Sequence, residues 1–157
     1  MSKIEVNELS VRSGNDITFY DTVKIDTIKG KTAAGSILVT GEGNSTTTNL
    51  QQGLAKSWIN LNGTGTIAAR DSLNVSSLTD AATGDHQIFF ANDMANNNYS
   101  SAVNSGGSSV IIATGRSGNS STFGNNSAWI RVGSREGNSQ AWQDQEMLAV
   151  TVLGDLA

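Results

Sequence analysis

Short runs in which apolar and polar residues alternate fill the C-terminal two thirds of the chain, separated by segments that contain Gly or Asn. A period of two residues is typical of strands that bury one face. Eight such runs follow one another at about ten-residue spacing. They read SWINL, GTIAAR, SLNVSSL, HQIFFAN, NYSSAVN, SSVIIATG, AWIRVGS and EMLAVTVLG. The pattern predicts an all-β domain, a sandwich or a barrel rather than βαβ units. Of these, the expected fold is an antiparallel β-sandwich of the jelly-roll or Greek-key kind.

Two turns are indicated between these runs. Asn62-Gly63 lies between the first and second runs, and this dipeptide accepts positive φ and favours a tight hairpin turn. The segment 82–85, Ala-Thr-Gly-Asp, lies before HQIFFAN and predicts another turn.

Alternation also predicts which side chains point inward. The expected core residues are Trp58, Ile59, Leu61, Ile88, Phe90, Ile130, Val132, Leu148, Val150 and Val152. Phe89, Ile111, Trp129 and Met147 then point the other way and need a second apolar environment. If subunits pack about a threefold axis, a neighbouring chain supplies it.

The N-terminal residues 1–43 alternate as well, in KIEVNELSVRS, DITFYDTVKIDTIKG and SILVT, but contain too few apolar residues for a core. Because an isolated two-stranded ribbon is only marginally stable, such an arm is expected to pair with other chains. Residues 44–55 are predicted to be a linker. Asn49 is a candidate N-cap for a short helix in NLQQGLAK, with an irregular loop as the alternative. Residues 56–157 form the predicted head domain.

Composition adds an expectation of oligomerisation. Of the 157 residues only 37% are hydrophobic, 6% aromatic and 15% charged. A core this lean is stable more readily when part of the apolar surface is buried between subunits. The net charge of −4 disfavours nucleic-acid binding, which needs a basic face.

Cysteine is absent, which excludes disulfides and thiolate metal sites and fits a reducing compartment. The N-terminal residues show no apolar signal-peptide segment, and no apolar run approaches the roughly 18 residues of a membrane span. Neither secretion by a signal peptide nor membrane insertion is expected.

Candidate chemistry is sparse. His86 is the single histidine, so a zinc site would need three oxygen ligands, and a strand residue beside the turn is the favoured interpretation. Asp80, Asp85 and Asp93 could in principle hold Ca²⁺ but lack the EF-hand spacing, so turn and capping roles are favoured.

Two further patterns are weak. The pair Asp144 and Glu146 is better interpreted as a solvated strand edge than as a glycosidase dyad. The segment 63–68 matches GxGxxA but is followed by a strand-like run, not a helix. The sequence therefore predicts no catalytic residue, no cofactor and no metal.

Polar loops are the remaining candidate binding site. Planar amides suit sugar hydroxyls, and an aromatic face or a guanidinium adds further contacts, whereas the alternative is that Asn and Gly simply form turns. The candidate residues are Asn97, Asn98, Tyr99, Arg116, Asn119, Asn125 and Trp142.

One stretch carries a family resemblance. Residues 54–99, LAKSWINLNGTGTIAARDSLNVSSLTDAATGDHQIFFANDMANNNY, resemble the distal domain of tailed-bacteriophage fibre proteins, especially the marine and cyanophage type. The preceding IDTIKGKTAAGSILVTGEG and TTTNLQQ resemble the lead-in segment of such fibres, so the likeness covers about two thirds of the chain.

The resemblance implies a non-enzymatic structural protein of the virion, assembled in the host cytoplasm. It implies a short homotrimeric fibre whose arm (1–43) binds other virion proteins of the tail or capsid, and whose β domain faces the host surface and its glycans. The chain is much shorter than most tail fibres and lacks a long shaft of repeats, so a head fibre or capsid decoration protein is the alternative. A carbohydrate-binding module without a virion, and a glycan depolymerase, rank lower.

Overall fold

The computed structural model describes residues 20, 22–30, 37–40, 46–106 and 126–157, and the backbone of 111–115. Within them the chain is essentially all-β, as the sequence predicts. The elements are β1 (Leu38–Thr40), β2 (Thr47–Asn49), α1 (Leu50–Gly53), β3 (Ala55–Asn62), β4 (Ala68–Leu73), β5 (Val75–Ala82), β6 (Asp85–Phe90), β7 (Ser100–Gly106), β8 (Ile111–Gly115), β9 (Trp129–Glu136) and β10 (Met147–Leu153).

The strands form three antiparallel sheets. β1 and β2 make a two-stranded ribbon, and the eight later strands make two four-stranded sheets. The first sheet has the order β4-β3-β10-β7 and the second has the order β5-β6-β9-β8. All of these neighbours pair antiparallel. Each of the eight predicted runs overlaps one of these strands, although several boundaries differ.

The run SLNVSSL is not one strand. β4 ends at Leu73 and β5 begins at Val75, in the other sheet. Between them Asn74 has φ 57°, a left-handed conformation that Asn tolerates better than most residues. Its side chain is held in place because Oδ1 accepts from the backbone N of Asn92 at 2.7 Å and Nδ2 donates to the Asn92 carbonyl at 3.0 Å. A single residue thus transfers the chain between sheets without interrupting the apolar alternation.

The buried apolar side chains of both sheets form one cluster. β3 and β10 contribute from the first sheet, and β6 and β9 from the second. Its members are Ile59, Leu61, Ile88, Phe90, Met94, Ile130, Val132, Leu148, Val150 and Val152. Nine of them are predicted core residues, and Met94 is an addition from the loop after β6.

Trp58 was expected in the core but is only half-buried. In β3 the residues Ser57, Ile59 and Leu61 are buried, and strand alternation turns Trp58 to the opposite face. It lies opposite Leu73 of β4 and Thr151 of β10 on that face. The prediction for Trp58 is therefore wrong, because a side chain cannot share a face with its direct neighbours in a strand.

The four residues expected to point away from the core differ in how far they are buried. Phe89 and Trp129 face each other across β6 and β9 and are partly buried. Met147 is exposed. The prediction for the side chain of Ile111 lies outside the described residues.

Both predicted turns exist, but the first differs in detail. Residues 63–67 connect β3 to β4, and the glycine with positive φ is Gly65 (64°) rather than Gly63. The connection is longer than a two-residue turn. Between β5 and β6, Gly84 has φ 64°, within the predicted turn.

The predicted boundary between arm and linker falls inside the β1–β2 ribbon, in which Leu38 pairs with Asn49. Asn49 is the N-cap of α1, since its Oδ1 accepts from the backbone N of Gln51 at 2.8 Å and of Gln52 at 3.2 Å. Residues 22–30 form no strand, although the sequence predicts one there; residues 22–29 are exposed, so they bury no apolar face that would stabilise a strand. The strands predicted in 1–19 lie outside the described residues.

None of the described helical residues forms a helix with the length and apolar character that crossing a membrane requires.

Candidate functional site

The segment 143–146, just before β10, lies at a polar cleft of about 770 Å³. The cleft carries three amide side chains, two carboxylates and one guanidinium. Its lining residues are Asn60, Thr64, Arg70, Gly106, Gln143, Asp144, Gln145, Glu146 and Met147.

Backbone hydrogen bonds fix this segment against both sheets. The Gln145 carbonyl accepts from the backbone N of Gly63 at 2.8 Å, at the end of β3. The Gln143 N donates to the Ser134 carbonyl at 3.1 Å, and the Ser134 hydroxyl donates to the Gln143 carbonyl at 2.7 Å, which attaches the segment to β9. The segment therefore joins strands of the two sheets.

Gly84 completes this attachment. Its backbone N donates to Oδ1 of Asp144 at 2.6 Å. A Cβ on Gly84 would lie 2.6 Å from the backbone N of Gln143, so the close approach needs glycine in addition to the positive φ. The turn between β5 and β6 thus orients the carboxylate of Asp144.

His86 lies behind the cleft in β6 and is completely buried. Its Nδ1 is 3.9 Å from Oδ1 of Asp80, and its Nε2 is 3.8 Å from Oδ1 of Asp144. These distances are too long for hydrogen bonds, and neither ring nitrogen has a hydrogen-bond partner among the described residues. One potential ligand atom from each of the three side chains lies within 4.8 Å of the others. As expected, His86 is a strand residue beside the turn, but it also centres an acidic cluster.

Asp85, next to His86, has a different partner. Both of its carboxylate oxygens accept from Arg131, from Nε at 2.7 Å and from Nη2 at 2.5 Å. These hydrogen bonds raise the pKa of the Arg131 guanidinium. The carboxylate is 1% exposed, so this is a buried two-point ion pair between β6 and β9.

Asp80, Asp85 and Asp93, the three aspartates considered as Ca²⁺ ligands, therefore do not lie together at one site. Asp85 pairs with Arg131, and Asp80 lies beside His86. Asp93 is exposed in the loop after β6, where its carbonyl accepts from the backbone N of Ala157. Asp144, half-buried at the cleft, is the second carboxylate beside His86.

Two of the predicted binding-loop residues are exposed in the loop between β6 and β7. Asn97 and Asn98 lie there, and the backbone N of Asn98 donates to Oδ1 of Asn96 at 2.8 Å in a local turn. Trp142 is 39% exposed and has the guanidinium of Arg135 at 5.8 Å from its ring centroid. The predictions for Arg116, Asn119 and Asn125 lie outside the described residues.

Tyr99 does not belong to a binding loop. Its ring packs edge-on against Phe90 with centroids 5.9 Å apart, and its hydroxyl lies 3.2 Å from the Asn126 carbonyl and 3.1 Å from the Trp129 carbonyl. Burial raises the pKa of Tyr99 to about 12. The prediction for this residue is corrected, because the aromatic ring finds its contacts inside the domain.

The cleft itself was missed at the sequence level. Its residues come from β3, β4, β7 and the segment before β10, which are distant in the chain, and no spacing rule connects them. The one available signal was the single histidine within six residues of Asp80.

No protein-family model matches the chain, and neither a curated protein nor a solved structure is significantly similar to it. The resemblance to bacteriophage fibres stays a prediction.

Proposed function

We propose that this chain is a non-enzymatic structural subunit of a virion that works as a homotrimer. In this proposal it is a short bacteriophage fibre with an N-terminal attachment arm and a β domain that adheres to the host surface. The resemblance of residues 54–99 to phage fibres provides the class of protein.

The exposed apolar side chains of the arm carry this proposal. Tyr20, Ile25 and Ile28 are 99%, 57% and 60% exposed, and Leu38 and Val39 of β1 are also exposed. Large apolar side chains that the chain itself leaves exposed in the arm support a covering surface on another chain. The head domain, in contrast, closes its core within one chain.

A second apolar area lies on the outer face of the first sheet. Trp58 is half-buried there, and Leu73, Met147 and Leu153 are 47%, 38% and 40% exposed. Trp58 and Leu73 are direct cross-strand neighbours. A neighbouring copy of the chain packed on this face would bury these four side chains. Burial between subunits is what the low hydrophobic content of the chain predicts.

The finer architecture that fits this proposal is a β-sandwich. The buried residues of the two four-stranded sheets belong to one cluster, as they do when two sheets pack face to face. In such a domain the loops and clefts at the sheet ends are available for recognition, while the sheet faces are available for packing.

The polar cleft is the surface on which the head would contact a host glycan. Its amides, from Asn60, Gln143 and Gln145, can donate to and accept from sugar hydroxyls. The side chain of Gln145 is buried, and its Nε2 has no hydrogen-bond partner among the described residues, so a hydroxyl that reached this depth of the cleft would satisfy it.

Labelling of intact virions tests the proposal. Antibodies against the head (residues 56–157) should bind the particles at the ends of projecting fibres, and antibodies against residues 20–30 should bind only when the arm is released. Binding of head antibodies over the whole shell would instead identify a capsid decoration protein. Absence of the chain from purified particles would contradict both.

A further inference from the structure

His86 combines complete burial with two unsatisfied ring nitrogens. A neutral imidazole has one donor and one acceptor, and buried polar atoms in native proteins almost always have partners. Here each nitrogen instead faces a carboxylate at a distance that is too long for a hydrogen bond, Asp80 at 3.9 Å and Asp144 at 3.8 Å. The arrangement brings three potential ligand atoms close together without a hydrogen bond between them.

We propose that His86, Asp80 and Asp144 bind a divalent transition-metal ion of the zinc class. One atom from each lies within 4.8 Å of the other two. Ligand atoms about 2.0–2.2 Å from a tetrahedral ion lie roughly 3.4 Å from one another, so the most distant pair must close by up to about 1.4 Å on binding. Asp80 is 41% exposed, which leaves its carboxylate free to turn, whereas Asp144, 30% exposed, is oriented by the Gly84 N.

The chemistry of the donors selects the ion. An imidazole nitrogen with carboxylate oxygens suits zinc and its neighbours in the first transition row, whereas calcium takes six to eight oxygen ligands. A histidine binds a metal through one ring nitrogen, so one nitrogen of His86 and one oxygen from each carboxylate supply the three protein ligands. Water from the cleft can complete the coordination, because Asp144 also lines the cleft.

The surrounding backbone holds the ligands in place. Asp80 and His86 are register partners across β5 and β6, and Asp144 is oriented by the hydrogen bond from the Gly84 N. Gly63 packs closely against the ring and permits this approach only as glycine, since a Cβ at this position would lie 2.6 Å from Nε2 of His86. These positioning groups belong to three separate parts of the chain.

Bound metal would link the β5–β6 hairpin to the segment that leads into β10, and hence would link the two sheets. An ion that binds the folded chain alone raises its stability as the ion concentration increases. Zinc should therefore raise the thermal midpoint of the chain as well as bind to it.

The test uses the full chain, purified without a histidine tag, stripped of metal and titrated with ZnCl₂ by calorimetry at one fixed, neutral pH, since metal affinity depends on pH. We expect one zinc ion per chain and a higher thermal midpoint. Asp80→Asn and Asp144→Asn should each weaken zinc binding at least about ten-fold, in line with the loss of a ligating or supporting carboxylate. Asp93→Asn, an exposed carboxylate outside the cluster, is the matched control and should bind zinc as the wild type does.

Imidazole NMR provides a second measurement that does not depend on how well a His86 variant folds. Because the chain has one histidine, a single set of ring ¹⁵N signals reports on this site, and zinc should shift it in the wild type. The proposal is overturned if zinc does not bind stoichiometrically, if both Asn variants bind it normally, or if the ring signals do not respond. A preference for Ca²⁺ over Zn²⁺ would overturn the assignment of the ion class.

Discussion

Arg131 of β9 donates two hydrogen bonds to the carboxylate of Asp85 in β6, at 2.7 and 2.5 Å. The carboxylate is 1% exposed, while a quarter of the Arg131 side chain remains accessible. Their strands are neighbours in the second sheet, and Gly133 lies opposite Asp85 in the register. The pair thus places a desolvated charge next to His86 and holds the beginning of β6 on β9.

Removal of Arg131 should be costly, because it leaves a buried carboxylate without its charged partner. We expect Arg131→Gln to lower the free energy of unfolding by about 3 kcal/mol, as for other buried pairs that lose one member. Arg70→Gln is the matched control, since the Arg70 guanidinium is exposed and has only long contacts of 3.4 Å, and it should change stability by less than about 0.5 kcal/mol. Urea denaturation measures both; equal midpoints for the two variants would show that the pair is not needed.

Tyr99 should make the domain sensitive to alkali. Its pKa is about 12 in the folded chain, against 10.0 for the unperturbed group. The protonated form is therefore favoured by folding, so its contribution is complete below about pH 10 and is lost as the pH rises towards about 12. Denaturation midpoints between these values should fall more steeply in the wild type than in Tyr99→Phe.

The matched control for that measurement is Tyr20→Phe, because Tyr20 is fully exposed. It should keep the wild-type slope. Tyr99→Phe should also lose about 1 kcal/mol at neutral pH, because its hydroxyl no longer donates to a backbone carbonyl. An unchanged alkaline slope in Tyr99→Phe would refute the assignment.

Trp58 and Leu61 lie on opposite faces of β3. Leu61→Ala should cost about 3 kcal/mol because the side chain is completely buried in the cluster of both sheets. Trp58→Ala should cost the isolated head only about half as much, since the ring lies half-exposed on the outer face. Denaturation of the head at low concentration provides the comparison. A larger loss for Trp58 than for Leu61 would mean that the assigned faces are reversed.

Alternation predicted the strands and nine core residues because burial of one sheet face repeats every second residue, as in Leu148, Val150 and Val152. Alternation failed where the path of the chain depends on a single residue and not on a repeating pattern. The left-handed Asn74 redirects the chain within an apparently continuous run. Trp58 was assigned to the core because it is hydrophobic, although its even position in β3 puts it on the face opposite Ile59 and Leu61.

The sequence predicts the candidate site less well than it predicts the fold. Asp144 and His86 are 58 positions apart in the chain, and only the pairing of β6 with β9 and the attachment of segment 143–145 bring them within 3.8 Å. Asn98 and Tyr99 are adjacent and were both predicted to lie in a binding loop, yet Tyr99 turns inward while Asn98 stays exposed. Such choices depend on tertiary contacts, which local sequence does not encode.

The mass of the purified full chain in solution tests the central claim, assembly into a trimer through the arm and the outer face of the first sheet. Sedimentation equilibrium should give three copies of the 157-residue chain. A shortened chain that begins at Thr46 retains the entire buried cluster and should remain folded, with a weaker tendency to associate. A stable, well-folded monomer of the full chain at micromolar concentration would contradict the account.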